Sequence, residues 1–207
     1  MTAIKLFSSL LFGALCLTTA AQTKPAIPVN DSSNIEFKQK DTSYWVYNFR
    51  QLRDALYQSE RSKAKVFFDF PFINQGNEIW YVAYGGNEKA IEKIGKTEKP
   101  FTERDFDKYF DKIFPRQFIK CLLAIKADEL YKTGTSESPE LKDSTTTYVL
   151  YAIYNNIDRT IELNLATKTS YKVQDSDEYD MGESNFIYYF QVLDNGHIKF
   201  KKLLIAG

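Results

Sequence analysis

Between Phe101 and Lys132, in FTERDFDKYFDKIFPRQFIKCLLAIKADELYK, apolar and polar positions recur with a helical period. Phe106, Tyr109, Phe110, Ile113 and Phe114 fall at i, i+3, i+4, i+7 and i+8, while Asp107, Lys108, Asp111 and Lys112 take the opposite side, which predicts an amphipathic helix. Thr102 stands where an N-cap belongs. Glu103 and Asp105 suit the positive end of the helix dipole, and Phe101 and Phe106 are spaced as a hydrophobic staple. Pro115 ends or kinks this helix, after which Phe118, Ile119, Leu122 and Leu123 form a second apolar stripe.

Upstream, Tyr44 to Tyr47 leads into a predicted helix capped by Asn48 with Gln51 at N3, its stripe formed by Phe49, Leu52 and Leu56. Ser59 caps a short second helix through Ala64, Phe67 and Phe68, which the Phe70-Pro71-Phe72 turn terminates. Asn74-Gln75-Gly76-Asn77 is turn chemistry, and Ile79 to Tyr84 is rich in aromatic and β-branched residues, so a hairpin is expected there. Asn87 caps another short helix, stopped by Gly95.

Downstream, the polar run from Thr133 to Thr147 reads as a loop between a helical half and a β half. Tyr148 to Tyr154 is apolar on both faces and predicts a central or doubly covered strand. Thr160 to Leu165 alternates strictly and predicts a half-exposed one. Phe186 to Leu193 and His197 to Ile205 form a hairpin across Asn195-Gly196, a pair typical of a type I′ turn, and the apolar phase slips near Lys201-Lys202, which predicts a bulge. The pattern is that of one α+β domain over 44–207, with N-terminal helices packed against a curved, mainly antiparallel β-sheet.

The first 21 residues carry one early charge, Lys5, an apolar core from Leu6 to Leu17, and small residues before Gln22, which reads as an export signal cleaved after Ala21. The apolar run is shorter than the roughly 20 residues of a membrane span. Leu15 does not suit a lipoprotein signal ending at Cys16. Residues 22–43 form a polar leader with Pro25 and Pro28. The expected location is therefore periplasmic or secreted, with no transmembrane segment. Of 27 basic and 27 acidic residues only Lys5 leaves with the signal, so the remaining chain is near neutral and offers no clustered basic face for nucleic acid.

Candidate chemistry is sparse. Cys121, the one cysteine beyond the signal, sits among apolar neighbours and reads as a buried thiol; His197 follows Asp194-Asn195-Gly196 at a hairpin tip. One His and one Cys far apart do not assemble a zinc site. Asp175, Asp177, Glu178, Asp180 and Glu183 cluster, but Tyr179 stands where a calcium loop needs an oxygen ligand, so a solvated acidic loop is the favoured reading. Gly85-Gly86 lacks the spacing and the Lys-Ser/Thr pair of a phosphate loop, and no cofactor is implied. Asp69, inside Val66-Phe67-Phe68-Asp69-Phe70, would have a raised pKa if buried. Trp80, Tyr81, Tyr84, Tyr151 and Tyr188 are the aromatic residues placed to line a pocket, though strand aromatics commonly form core pairs.

The order helix, short helix, Phe67-Phe68-Asp69-Phe70-Pro71-Phe72, then the Phe106 to Phe114 helix ending in Asp111-Lys112-Ile113-Phe114, a loop and a β meander resembles the nuclear-transport-factor-2-like superfamily, with its cystatin-like cone. The resemblance is in particular to exported bacterial members of unknown function. The resemblance covers most of 44–207, with a longer insert at 134–146. It implies a curved sheet wrapped around helices, leaving a pocket that members use for ligands, catalysis or partner docking. Enzymatic members place Asp or Glu, His, Tyr or Arg inside the cone, and no such set matches residue by residue here. The expectation is a non-catalytic module binding a small ligand or an envelope protein, at Asp69, Trp80, Tyr81, Tyr151 and Tyr188. The alternatives are a small hydrolase or isomerase using Asp69 with pocket tyrosines, and an inhibitor or immunity-type protein.

Overall fold

The computed structural model describes residues 44–95, 97–173 and 178–207. The expected signal and leader, and Asp175 and Asp177 of the acidic cluster, lie outside the described residues. Helices come first: α1 (Trp45–Tyr57), α2 (Arg61–Lys65), α3 (Glu78–Ala83), α4 (Glu88–Glu92), α5 (Glu103–Ile113), α6 (Arg116–Ala124) and α7 (Ala127–Thr133). Strands follow: β1 (Thr135–Glu137), β2 (Leu141–Asp143), β3 (Thr146–Asn155), β4 (Thr160–Lys172), β5 (Tyr179–Val192) and β6 (Ile198–Ala206). The sheet is antiparallel, open and curved, ordered β1-β3-β4-β5-β6 with β2 also on β3, so the α+β architecture of helices followed by a mainly antiparallel sheet holds.

Register explains why the helices cover one face. Ala152, Leu163, Tyr188 and Leu203 align across four strands, as do Tyr154, Ile161, Phe190 and Phe200. Most of these side chains are buried, and they meet Phe49, Leu52, Phe68, Phe106, Phe110, Phe114 and Phe118 of the helical layer in one continuous core. Phe68 alone lies within ring-contact distance of Phe70, Phe72, Phe106, Phe114, Phe190 and Phe200, tying the 67–72 segment to helix and sheet.

α5 forms as its pattern predicts. Thr102 Oγ1 accepts from the Asp105 backbone N–H, Asp105 returns the bond to the Thr102 N–H, and Phe106, Phe110 and Ile113 are buried. α1 starts earlier than expected, because burial of Trp45 and Val46 extends it by a turn. Asn48 is therefore inside the helix, and its amide donates to Gly196 O at 3.0 Å, fastening the β5–β6 turn to α1.

The expected hairpin at 79–84 is α3 instead. Ile79, Trp80 and Ala83 share one buried face, and Trp80 Nε1 donates to Lys99 O at 2.9 Å, so tertiary burial overrides strand propensity. The expected loop at 133–147 contains β1 and β2, which occupy the edge of β3. β3 is central, between β1 and β2 on one edge and β4 on the other, but it is covered on one face only: Leu150 and Ala152 are buried, whereas Tyr151 and Ile153 are exposed on the other side. Leu123 is likewise exposed, because α6 buries Phe118, Cys121 and Leu122.

The bulge appears where the apolar phase slips: Tyr189 pairs with Lys202 and Phe190 with Phe200, leaving Lys201 extra. The turn before it is not type I′. Within it only Gly196 has positive φ, and the Gly196 N–H donates to Leu193 O, the arrangement of a three-residue loop in which glycine takes the left-handed position.

Candidate functional site

The structure scatters the residues singled out in the sequence. Asp69 is not buried: its side chain is 74% exposed and pairs with Lys199 Nζ at 2.7 Å on the surface. The burial on which its candidate role depends is thus absent. Trp80 is 1% exposed and belongs to the core, and Tyr151 lies exposed on the outer face of the sheet. Tyr84 borders a wide groove between α4 and Pro100 whose other walls include exposed Lys89, Lys93, Glu98 and Lys99. Tyr81 and Tyr188 alone among these come together.

They line a cavity of about 350 Å³ built from three separate stretches. The end of α3 brings Tyr81 and Val82, then turns away through Gly85 and Gly86, whose φ of 62° and 71° are left-handed and suit glycine. The α5–α6 corner contributes Lys112, Pro115 and Gln117. Pro115 caps α6, where its missing N–H costs nothing. The inner face of the sheet supplies Tyr148, Leu165, Thr167, Phe186 and Tyr188 as floor.

Floor and rim differ in character. Tyr188 is buried, and its hydroxyl donates to Ile113 O at 2.6 Å, locking the ring against the end of α5 and stacking it on Phe114. Burial pushes the Tyr188 phenol well above its ordinary range, so it stays protonated at neutral pH. Thr167 Oγ1 donates to Ser184 O. At the rim, Tyr81 and Lys112 are exposed and Gln117 donates to Asp143 at 2.6 Å. Lys112 makes no ion pair with a described residue, whereas its neighbour Asp111 is held by Arg61.

Chemically, the cavity offers aromatic and aliphatic walls, hydroxyl and amide groups, and one ammonium. No carboxylate, imidazole or thiol is among its lining residues. The other groups weighed for chemistry stand elsewhere. Cys121 is buried, and desolvation raises its thiol pKa, which opposes nucleophilic use; His197 is exposed at the β5–β6 turn. Among the described residues no cluster of three or more His, Cys, Asp and Glu side chains is placed to hold a metal ion, and no helix is long and apolar enough to cross a membrane.

Sequence reasoning missed Lys112, Gln117, Tyr148, Thr167 and Phe186. Lys112 read as one charge on a solvated helix face and the strand residues as sheet, because no local pattern records which three segments converge. No protein family matches the chain, and neither does any curated protein or solved structure.

Proposed function

We propose that the protein is an exported, non-catalytic binding module that takes a small apolar or aromatic ligand in the cavity between Tyr81 and Tyr188. The observation that supports this most is the cavity itself: an aromatic floor and a polar rim, in a volume at the lower end of the roughly 300–1,000 Å³ typical of ligand pockets. An open curved sheet with helices on one face is also what the nuclear-transport-factor-2-like resemblance leads one to expect, and that resemblance is part of the reading. The hydrolase or isomerase alternative loses its main support, since Asp69 sits on the surface with Lys199 and not beside the pocket tyrosines.

A second reading, docking of an envelope protein, draws on Tyr151 and Ile153, exposed side by side on the outer sheet face next to Asn164, whose buried Oδ1 has no hydrogen-bond partner. Strand addition is the less suitable mode for such a partner, because β1 and β2 occupy one edge of the sheet and the 67–74 segment bonds to the other.

Thermal unfolding against neutral apolar probes, 1-decanol and naphthalene among them, tests the ligand reading. A ligand at a hundred times its Kd adds about 2.7 kcal/mol of stability, so Tm should climb with probe concentration. Thr167→Trp places an indole on the cavity floor at the loss of one hydroxyl bond, and Gln117→Trp fills it from the opposite wall. Either variant should retain the fold and lose the probe effect. A probe effect that is absent in wild type, or undiminished in both variants, overturns the reading.

A further inference from the structure

The cavity's charge distribution narrows its ligand, on the assumption that the cavity binds one. Its lining holds one basic side chain and no acidic one: Lys112 stands at the exposed rim, and everything beneath is aromatic, aliphatic or neutral polar. Neither nearby carboxylate is bonded to Lys112: Asp111 pairs with Arg61 at 3.2 Å, and Asp143 accepts from the Gln117 amide at the rim. An ammonium with no ion-pair partner among the described residues, above an apolar floor, complements a molecule whose single negative charge lies at one end.

We propose that the cavity selects an amphipathic monoanion, a carboxylate with a compact apolar body, oriented with the carboxylate at Lys112 and the body over Tyr188, Phe186 and Leu165. The Tyr188 hydroxyl is spent on Ile113 O and that of Thr167 on Ser184 O, so around Tyr188, Phe186 and Leu165 the floor presents ring faces and carbon, which reject a charged or strongly hydrated group. Gln117, whose amide donates to Asp143, and Tyr81 border the same cavity, and the Tyr81 phenol supplies a neutral hydrogen bond at the rim. Lys112 also stands in the last turn of α5, where a cation favours the helix dipole, so its structural part has to be separated from ligand recognition.

Calorimetric titration with decanoate and with 1-decanol makes that separation. In the wild-type protein decanoate should bind about fivefold tighter than the alcohol, the advantage of a partly exposed ion pair, and the advantage should shrink as salt rises. Lys112→Gln should bind both probes with the affinity the wild type shows for the alcohol, while Lys112→Arg should keep the preference. Equal binding of the two probes by wild type, or an undiminished preference in Lys112→Gln, overturns the proposal. If the alcohol still binds wild type and fails with Thr167→Trp, the cavity reading stands and only the charge selection is lost. If neither probe binds, both fall.

Discussion

Tyr188 joins three parts of the molecule with one side chain: its ring stacks on Phe114 and packs at a tilt against Phe118, its hydroxyl reaches the carbonyl at the end of α5, and one surface forms the cavity floor. Tyr188→Phe leaves the buried Ile113 carbonyl without this donor, which should cost about 1–3 kcal/mol at neutral pH. The pH dependence follows from the direction of the shift. Because burial raises the folded-state pKa of this phenol, only the unfolded chain releases its proton as pH passes the ordinary tyrosine value of 10.0, and stability is lost as pH rises from there towards the folded value. The stability gap between wild type and Tyr188→Phe, measured by denaturant unfolding, should be constant below that range and narrow above it. A gap that widens above pH 10 contradicts the buried, protonated assignment.

At this scale the sequence was partly legible. Tyr81 and Tyr188 were chosen as pocket residues on aromatic character and they do share a cavity, but the same criterion chose Trp80, which fills the core, and Tyr151, on the outer face. Aromatic identity does not record which face of a sheet a residue occupies. Register does, and it became visible only with the pairing of β3 and β4.

Among the elements, α5 was the most legible because its cap, staple and stripe agree within fourteen residues of local sequence. Its polar face turned out to be more than solvated. Arg61 of α2 donates to Asp107 O and Asp111, Lys65 reaches Glu103 and Asp107, and the Arg61 guanidinium lies over the Phe110 ring. These partners lie about forty to fifty residues away, so no window along the chain could show them. α3 departs from its local pattern for the opposite reason: its composition speaks clearly for a strand, and burial of Ile79 and Trp80 decides otherwise.

The β6 edge shows how a short segment substitutes for a strand. Asn74, 1% exposed, accepts from the Leu203 N–H at 2.6 Å and donates to the Leu203 carbonyl at 2.9 Å, as a neighbouring backbone would. Phe67 O accepts from the Phe200 N–H beside it. Asn74→Ala strips both partners from Leu203 and should cost about 2–4 kcal/mol, with self-association appearing in size-exclusion chromatography as the edge opens. A loss under about 1 kcal/mol with an unchanged elution profile shows that the edge does not depend on this side chain.

For the whole molecule, the arrangement that matters is the corner where α3, the α5–α6 junction and the sheet floor meet around Tyr81, Lys112 and Tyr188. Amide chemical-shift mapping of the protein with 1-decanol tests occupancy of that corner most directly. The account predicts perturbations concentrated at Tyr81 to Gly86, Lys112 to Gln117, Tyr148, Leu165 to Thr167 and Phe186 to Tyr188, abolished by Thr167→Trp. Perturbations centred on Tyr151, Ile153 and Asn164 of the outer sheet face, or none at saturating probe, would contradict it.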